Sequence, residues 1–337
     1  MPSILRSVLR YVILALICFI ASGNVLAKTN AHLTLAPITF EIKKIGEYVD
    51  RNQSPHSIYV AQETSGYLSK LGEGVGVNTL IDVGQNAYLV VDPGPDGIYA
   101  KKLIKTLSFF EKDIHTKRLT LINTVARPEH VLANSSISTK RTTIYATKIT
   151  QFNMKARCPN CRKRLAAQLE NKQILDNPLK IPNTTIVNES FISEFPDWQA
   201  FEFSGRTESD LALWNAKSQT LYAGGLAYQD AIIDLNDGNS LSWINSLDSL
   251  LKLNPKNVVG VGSGNLKSGP QILINTMNYL KSLRMAARQN FLNGGEAALA
   301  DKCCKLEQYI STPGYQSRHS LNIQHVWREI EQEEMNK

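Results

Sequence analysis

Short apolar runs that end at turn residues occur in two successive halves of the chain, and this arrangement restricts the fold more than any other feature. In the first half, a helical period at 98–112 accompanies four strand-like runs, residues 78–81, 87–91, 119–123 and 144–146. In the second half, a helical period at 241–253 accompanies five such runs, residues 185–187, 198–203, 210–215, 220–223 and 257–261. Strands and helices that alternate at this spacing predict an α/β (α+β) fold of stacked sheets and helices.

The first 27 residues have the composition of a cleavable signal peptide. A short basic segment with Arg6 and Arg10 precedes an apolar run at 11–21, and small or medium residues at 25–27 suit a signal peptidase. The apolar run is shorter than the ~20 residues of a comfortable membrane span. We therefore expect a periplasmic protein without a permanent membrane anchor.

The charge of the chain argues against a nucleic-acid partner. The 337 residues carry a formal charge of +7, and removal of residues 1–27, with two arginines and no acidic residue, lowers it to +5. The remainder contains no long run of lysine and arginine. A solvated surface accounts for this mild excess better than a nucleic-acid interface does.

Three motifs follow one another along the chain in a recognisable order. A strand ends in Asp92-Pro93-Gly94, residues 121–134 contain Asn123-Thr124 and Glu129-His130, and residues 205–210 precede a strand that ends in Gly224-Gly225. Over residues 58–265, this order and spacing resemble the metallo-β-lactamase superfamily. The resemblance implies a four-layer αββα sandwich of two similar halves, followed by a helical C-terminal extension.

The resemblance also locates the positions that would bind metal. Members of the superfamily hold one or two zinc ions through histidine and carboxylate side chains, and the metal activates a water for hydrolysis. The seven corresponding positions here are Val125, Arg127, Glu129, His130, Arg206, Gly225 and Ser263. The residues that support these positions in the family pattern are retained, namely Asp92, Gly94, Asn123, Thr124 and Asp210.

Most of the seven positions have lost the chemistry that zinc requires. Val125 has no lone pair, Gly225 lacks a carboxylate, and Ser263 is at best a weak ligand. Arg127 and Arg206 are permanently protonated and repel a cation. Only Glu129 and His130 remain as residual ligands, so we expect no cofactor, with zinc held at low affinity if at all.

The two arginines have two alternative interpretations. They form an anion-binding pocket for a carboxylate or phosphate, or they pair internally and fill the space that zinc would occupy. Candidate internal partners are Glu129, Glu208 and Asp210. We favour internal pairing.

A narrower resemblance concerns an inserted segment at about 151–180 and the tail. Residues 158–161 form a CxxC motif, and residues 318–329 lie in the tail. Both resemble the exported branch called quinoprotein relay system zinc metallohydrolases. This resemblance implies a periplasmic quinoprotein dehydrogenase, or its electron-transfer partner, as the partner protein. The expected organisation is a signal peptide at 1–27, a lead-in at 28–57, the main domain at 58–269 and a helical extension at 270–337.

Four cysteines remain after the expected cleavage, and an oxidising compartment favours disulfides between them. They are Cys158, Cys161, Cys303 and Cys304, and three pairings are open. The CxxC motif is expected at the start of a helix beside several basic residues, which would lower a thiol pKa. A structural disulfide is favoured over redox turnover, and a four-thiolate metal site ranks below both.

Three functional hypotheses follow. The first is a catalytically impaired accessory or binding factor of a periplasmic quinoprotein dehydrogenase system. The second is a zinc-dependent hydrolase with a reduced or single metal site at Glu129 and His130. The third is a thiol-redox factor that uses Cys158 and Cys161.

Overall fold

Two β-sheets form the centre of the computed structural model, which describes residues 38–264 and 269–336, with Cys303 described by its backbone alone. The predicted signal peptide at 1–27 lies outside the described residues. The first sheet has seven strands in sequential order: β1 (Phe40–Val49), β2 (Pro55–Glu63), β3 (Asn78–Val83), β4 (Ala87–Val91), β5 (Arg118–Ile122), β6 (Thr143–Ala146) and β7 (Thr184–Thr185). The second sheet, in the order β12-β11-β10-β9-β8, consists of β8 (Phe191–Ile192), β9 (Phe195–Phe203), β10 (Asp210–Asn215), β11 (Thr220–Tyr228) and β12 (Asn257–Val261).

The α-helices of the described residues lie between these strands and after them. They are α1 (Gly97–Leu107), α2 (Pro128–Val131), α3 (Asn134–Ile137), α4 (Lys148–Gln168), α5 (Gln173–Asp176), α6 (Ser240–Leu251), α7 (Gln271–Leu292), α8 (Ala300–Cys303) and α9 (Tyr315–Met335). Short 3₁₀ turns occur at Leu68–Leu71, Ile114–Thr116, Ala297–Leu299 and Glu307–Tyr309.

Strand direction follows from the connections. Strands β1 to β4 pair antiparallel, whereas β4 to β7 pair parallel, and in the second sheet only β11 and β12 are parallel. Parallel neighbours need a crossover. Helix α1 connects β4 to β5, and Asp96 caps it by accepting the N–H groups of Ile98 and Tyr99 at 2.8 and 2.9 Å. Helix α6 connects β11 to β12 and is capped by Asn239.

Three apolar layers hold the sheets and helices together. Between the sheets, buried side chains include Ile58, Leu89, Trp198, Leu213 and Tyr222. Helix α1 packs on the outer face of the first sheet, and helices α6, α7 and α9 pack on the outer face of the second. The predicted four-layer αββα sandwich with C-terminal helices is therefore confirmed.

The segment predicted as a lead-in, 28–57, contributes structure to the first sheet. Its described part contains all of β1 and the start of β2, which pair from Phe40–Glu63 to Val49–Pro55. Most β1 side chains are exposed or half-buried because β1 is an edge strand, and Tyr48 alone is fully buried. Because β1 and the start of β2 belong to the first sheet, the domain begins before residue 58. The sequence did not indicate β1 because an edge strand of this kind lacks the apolar run that marks buried strands.

The helices after residue 270 pack into the sandwich. Helix α7 contacts β11, β12 and α6, and α9 packs along α7. Ile272, Leu280, Ile323 and Trp327 share one apolar cluster with the second sheet. Among the helices of the described residues, none combines the length and apolar character of a membrane span.

Candidate functional site

The predicted site residues come together where strands of both sheets end. Asp92 follows β4, Asn123 and Thr124 follow β5, and Asp210 begins β10. The N–H of Leu211 donates to the carbonyl of Thr124 at 2.9 Å, which joins the two sheets at this edge. The motif residues are thus close in space although they are far apart in sequence.

Asp92 is the centre of this edge. Its side chain is fully buried and its φ of 54° lies in the left-handed region, which is rare for a residue other than glycine. Its carboxylate accepts the N–H of Thr124 at 2.8 Å and the hydroxyls of Thr124 and Tyr222 at 2.6 and 2.9 Å. Nδ1 of His130 donates to the same carboxylate at 2.8 Å. These bonds offset the cost of burying the charge and fix the surrounding segments.

Two further predicted residues support the same edge. The side-chain amides of Asn123 and Asn134 exchange hydrogen bonds of 3.1 and 2.7 Å. Gly94 donates to the carbonyl of His130 and accepts from Ala133, each at 3.1 Å. A Cβ at Gly94 would lie 2.3 Å from the ring of Tyr99, and its φ is 105°, so glycine is required there.

His130 lies between Asp92 and Arg206. Nδ1 of His130 lies 2.8 Å from the carboxylate of Asp92, and Nε2 lies 3.5 Å from Nη1 of Arg206. The side chain of His130 is buried. The ring nitrogen that would bind zinc therefore faces a guanidinium group.

Arg206 fills the centre of the site. Its side chain is 7% exposed, its Nη2 lies 3.5 Å from a carboxylate oxygen of Glu129, and its guanidinium carbon lies 5.5 Å from the ring centroid of Tyr228. A Cβ at Gly225 would lie 2.9 Å from Cδ of Arg206 and 3.1 Å from Nη1. The guanidinium group thus uses the space beside Gly225, where the family pattern has a carboxylate.

Arg206 and Glu129 form a charged pair in this pocket. Burial by itself would raise the pKa of Glu129, but His130, Arg206 and Arg127 hold that pKa below its usual value. Burial also opposes the charge on Arg206, yet nearby Tyr228 and Glu129 raise its pKa above the usual value. The ion pair between Arg206 and Glu129 is therefore charged on both sides, as the internal-pairing interpretation predicts.

Arg127 pairs with partners other than the predicted ones. Its Nη2 lies 3.4 Å from Asp234 and 3.2 Å from Asp237, both in the loop after β11. Glu208 instead accepts a hydrogen bond from Asn153, at 3.0 Å. Asp210 accepts the N–H of Thr207 at 2.8 Å, and burial raises the pKa of Asp210 to about 6.

The remaining predicted positions, Val125, Gly225 and Ser263, do not line the cleft. Val125 is buried in the apolar interior, and Ser263 is exposed after the end of β12. Gly225 contributes only the space that Arg206 occupies. Of the seven positions, Arg127, Glu129, His130 and Arg206 line the cleft.

This donor set does not fit a zinc ion. The residues described contain no group of three or more histidine, cysteine, aspartate and glutamate side chains in reach of one metal. The two remaining candidates, Glu129 and His130, each contact Arg206. Zinc prefers four nitrogen, sulfur or oxygen donors, and a guanidinium group supplies none.

The cleft itself has a volume of about 470 Å³. Several of its lining residues were not assigned to this site from the sequence, namely Arg164 from α4, Arg318 from α9, Tyr228 and Asp234. A glycine-rich segment, residues 72–76, forms one wall, and Nη2 of Arg318 donates to the carbonyl of Glu73 at 2.9 Å. The glycines at 72, 74 and 76 are typical of a loop. No feature of the sequence around Arg318 indicates that α9 contacts this loop.

The cysteine predictions need correction. Cys158 and Cys161 are free thiols, so the predicted CxxC disulfide is not formed. The motif lies in the middle of α4, which begins ten residues before Cys158 with Thr147 as its cap. Cys158 is 1% exposed, and burial raises its pKa to about 12, whereas Cys161 lines the cleft. The expected lowering of a thiol pKa is therefore wrong for Cys158.

Comparison with known proteins identifies the architecture. No family model and no curated protein matches this sequence. The mono-zinc form of the metallo-β-lactamase FIM-1 from Pseudomonas aeruginosa is similar with a TM-score of 0.53 and 13% identity, over 73% of this chain and 96% of that one. For a metallo-β-lactamase from Pontibacter korlensis, the TM-score is 0.52 at 15% identity, over 72% of this chain and 99% of that one. A metallo-β-lactamase from Hirschia baltica gives 0.52 at 13% identity, over 73% and 98%. The described part of this chain therefore has the metallo-β-lactamase fold.

Proposed function

We propose that this protein is a catalytically impaired member of the metallo-β-lactamase fold, which acts as an exported binding or accessory factor. One observation carries the proposal: the guanidinium group of Arg206 lies 3.5 Å from both Glu129 and His130, the two residues that retain ligand chemistry. A permanently protonated group at the centre of the donor set opposes a metal cation. On this proposal, the protein retains the fold but does not carry out metal-dependent hydrolysis.

We further propose that the factor serves a periplasmic quinoprotein dehydrogenase or its electron-transfer partner. The support is the sequence resemblance of the CxxC segment and the tail, together with the signal-peptide composition of residues 1–27. Deletion of the gene in its host should lower the activity of the quinoprotein dehydrogenase. Unchanged dehydrogenase activity would contradict this assignment.

The alternative functions place other demands on the same residues. A single-metal hydrolase requires Arg206 to leave Glu129 and His130, although Tyr228 and Glu129 stabilise its charge in this position. A thiol-redox factor requires a thiolate at the CxxC motif, and the pKa of Cys158 is raised to about 12. Neither alternative has a specific observation in its favour.

Metal analysis of the purified protein tests the proposal. After dialysis against buffered zinc, we expect no stoichiometric zinc by mass spectrometry, because two donors beside a guanidinium group cannot complete a coordination shell. The His130→Ala variant serves as the comparison and should show the same zinc content as the native protein. The proposal fails if one zinc per chain is retained and is lost, together with a hydrolytic activity, in His130→Ala.

A further inference from the structure

The cleft carries more positive than negative side chains. Its described lining contains four arginines and two carboxylates, Glu129 and Asp234. Arg206 and Arg127 pair with these two carboxylates. Arg318 donates to the backbone carbonyls of Ile232 and Glu73 and shares the electrostatic influence of Asp234 with Arg127 and Arg206. Exposed Arg164 has no ion pair among the described residues and contacts the sulfur of Cys161 at 3.9 Å. The arginines that line the cleft therefore outnumber the carboxylates that line it, although Asp237 outside the lining also pairs with Arg127.

Buried guanidinium N–H groups in this cleft also lack acceptors. Nε of Arg206 has no hydrogen-bond partner within the described structure, although the side chain is more than nine-tenths buried. Nε and Nη2 of Arg127, whose side chain is 18% exposed, also lack hydrogen-bond partners within the described structure, because the ion pairs with Asp234 and Asp237 lack hydrogen-bond alignment. Buried donors are normally satisfied, and an unsatisfied one costs about 1–3 kcal/mol. Because Arg206 and Arg127 also line the cleft, an anion bound there would lie beside guanidinium groups whose hydrogen-bonding capacity the described residues do not exhaust.

The other side of the cleft is apolar. Its lining includes the side chains of Leu71, Val75, Leu165, Val261 and Leu321. The volume of about 470 Å³ is in the range of small-molecule sites and exceeds what a bare inorganic anion fills. An occupant that satisfies both sides has an oxyanion at one end and an apolar body at the other.

We propose that the cleft binds a small organic oxyanion, with its carboxylate or phosphate on Arg206 and Arg127 and its apolar body against Val75, Leu165 and Leu321. This inference rests on the proposed function, because it assigns a ligand to the same rebuilt site. Arginine suits the role, since its planar fork donates to two oxygens of a carboxylate or phosphate at once. Arg164 and Arg318 line the cleft as well and add attraction for an anion.

Calorimetric titration of the purified full-length protein tests the inference with four probes. These are benzoate, phenyl phosphate, inorganic phosphate and benzamide, of which the last is the neutral analogue of benzoate. We expect benzoate or phenyl phosphate to bind more tightly than both inorganic phosphate and benzamide, and added salt to weaken the binding. The preferred headgroup distinguishes a carboxylate ligand from a phosphate ester.

Variants locate the binding. Arg206→Gln should weaken the preferred probe roughly tenfold, since a lost charge-assisted hydrogen bond is equivalent to about one decade in affinity. If this variant does not fold, Arg164→Gln at the rim should still weaken binding about twofold to threefold. Lys163→Gln, on the same helix but outside the cleft, is the matched control and should bind as the native protein does.

Different results overturn the inference and the proposed function. Equal binding of benzoate and benzamide, tighter binding of inorganic phosphate, or no binding by any probe would overturn the inference alone. So would native affinity in both the Arg206→Gln and Arg164→Gln variants. Stoichiometric zinc with hydrolytic activity would instead overturn the proposed function.

Discussion

At the scale of single residues, two departures from the family pattern form one structural change. Arg206 stands where the pattern has histidine, and Gly225 stands where it has a carboxylate. The guanidinium group lies against Gly225 so closely that any Cβ there would contact Cδ of Arg206 at 2.9 Å. The position of Arg206 therefore depends on the absence of a side chain at residue 225.

This dependence predicts non-additive stability effects. Gly225 has no positive φ, so alanine is allowed by the backbone, but Gly225→Ala should lower the free energy of unfolding by about 1–3 kcal/mol through overpacking. In an Arg206→Ala background, Gly225→Ala should lower the free energy of unfolding by far less. Urea unfolding of the four proteins in the double-mutant cycle measures the coupling.

A distant arginine provides the control for this cycle. Arg51 is exposed and does not line the cleft, so Arg51→Ala and Gly225→Ala should be additive within about 0.5 kcal/mol. An equal cost of Gly225→Ala in the native and Arg206→Ala backgrounds would show that the two residues do not share space.

The pairing of the arginines was predictable only in part. Glu129 is expected near Arg206 because the family pattern places both at one site, and the structure has this ion pair. Arg127 pairs with Asp234 and Asp237, which belong to a loop without any recognisable motif. A sequence pattern indicates which residues belong to a known site, whereas contacts with an irregular loop depend on how that loop packs.

At the scale of elements, strands β1, β2 and β3 share a buried polar cluster at the opposite end of the first sheet. Nδ1 of His56 lies 2.7 Å from Asp82, and the ring stacks on Tyr48. Asp82 also accepts the hydroxyl of Tyr48 at 2.7 Å and Nε1 of Trp198 at 2.6 Å. The cluster thereby links the edge strand β1 to the interior of the sandwich.

The cluster makes stability depend on pH. Burial alone would lower the pKa of His56, but Asp82 and Asp50 raise it above its usual value. The stabilisation is therefore complete below the unfolded value of about 6.5 and is lost as pH rises through the higher folded pKa. From pH 6 upward, the free energy of unfolding should fall more steeply for the native protein than for His56→Gln.

Urea unfolding over a pH series measures the difference, with His115→Gln as the matched control. His115 is exposed in the turn Ile114–Thr116, so this variant should keep the pH dependence of the native protein. Parallel pH profiles for the native protein and His56→Gln would refute the role of the buried pair.

Elements were predictable where their signals are local. The bounds of β10 and β12 agree with the predicted runs at 210–215 and 257–261, because both are buried apolar strands between turn residues. Strand β1 was missed because its charged side chains are accommodated at a sheet edge. The sequence predicts the CxxC motif at a helix start, whereas α4 begins ten residues earlier, at Lys148, after the cap Thr147.

At the scale of the whole molecule, the C-terminal helices complete the outer layer of the second sheet. Helix α9 buries Ile323, Val326 and Ile330 against the cluster that includes α6 and α7. Asn322 donates to the carbonyl of Ile233 at 2.9 Å and so connects α9 to the loop after β11. The tail is therefore part of the cooperative unit and also positions Arg318 at the cleft.

Two neighbouring substitutions test this integration. Ile323 is fully buried, so Ile323→Ala should lower the free energy of unfolding by about 2–5 kcal/mol. Leu321 is 55% exposed on the same helix, and Leu321→Ala should change it by about 0.5 kcal/mol or less. Thermal or urea unfolding compares the two variants, and equal small effects would mean that α9 is an independent appendage.

The close fit of Arg206 beside Gly225 has a consequence for any attempt to introduce a metal site into this cleft. A carboxylate at 225 alone would force a side chain against Cδ of Arg206, and replacing Arg206 alone would remove the ion pair of Glu129. Either single substitution is therefore expected to be less stable than the present arrangement. Positions 206 and 225 would have to be changed together before metal ligands could be added.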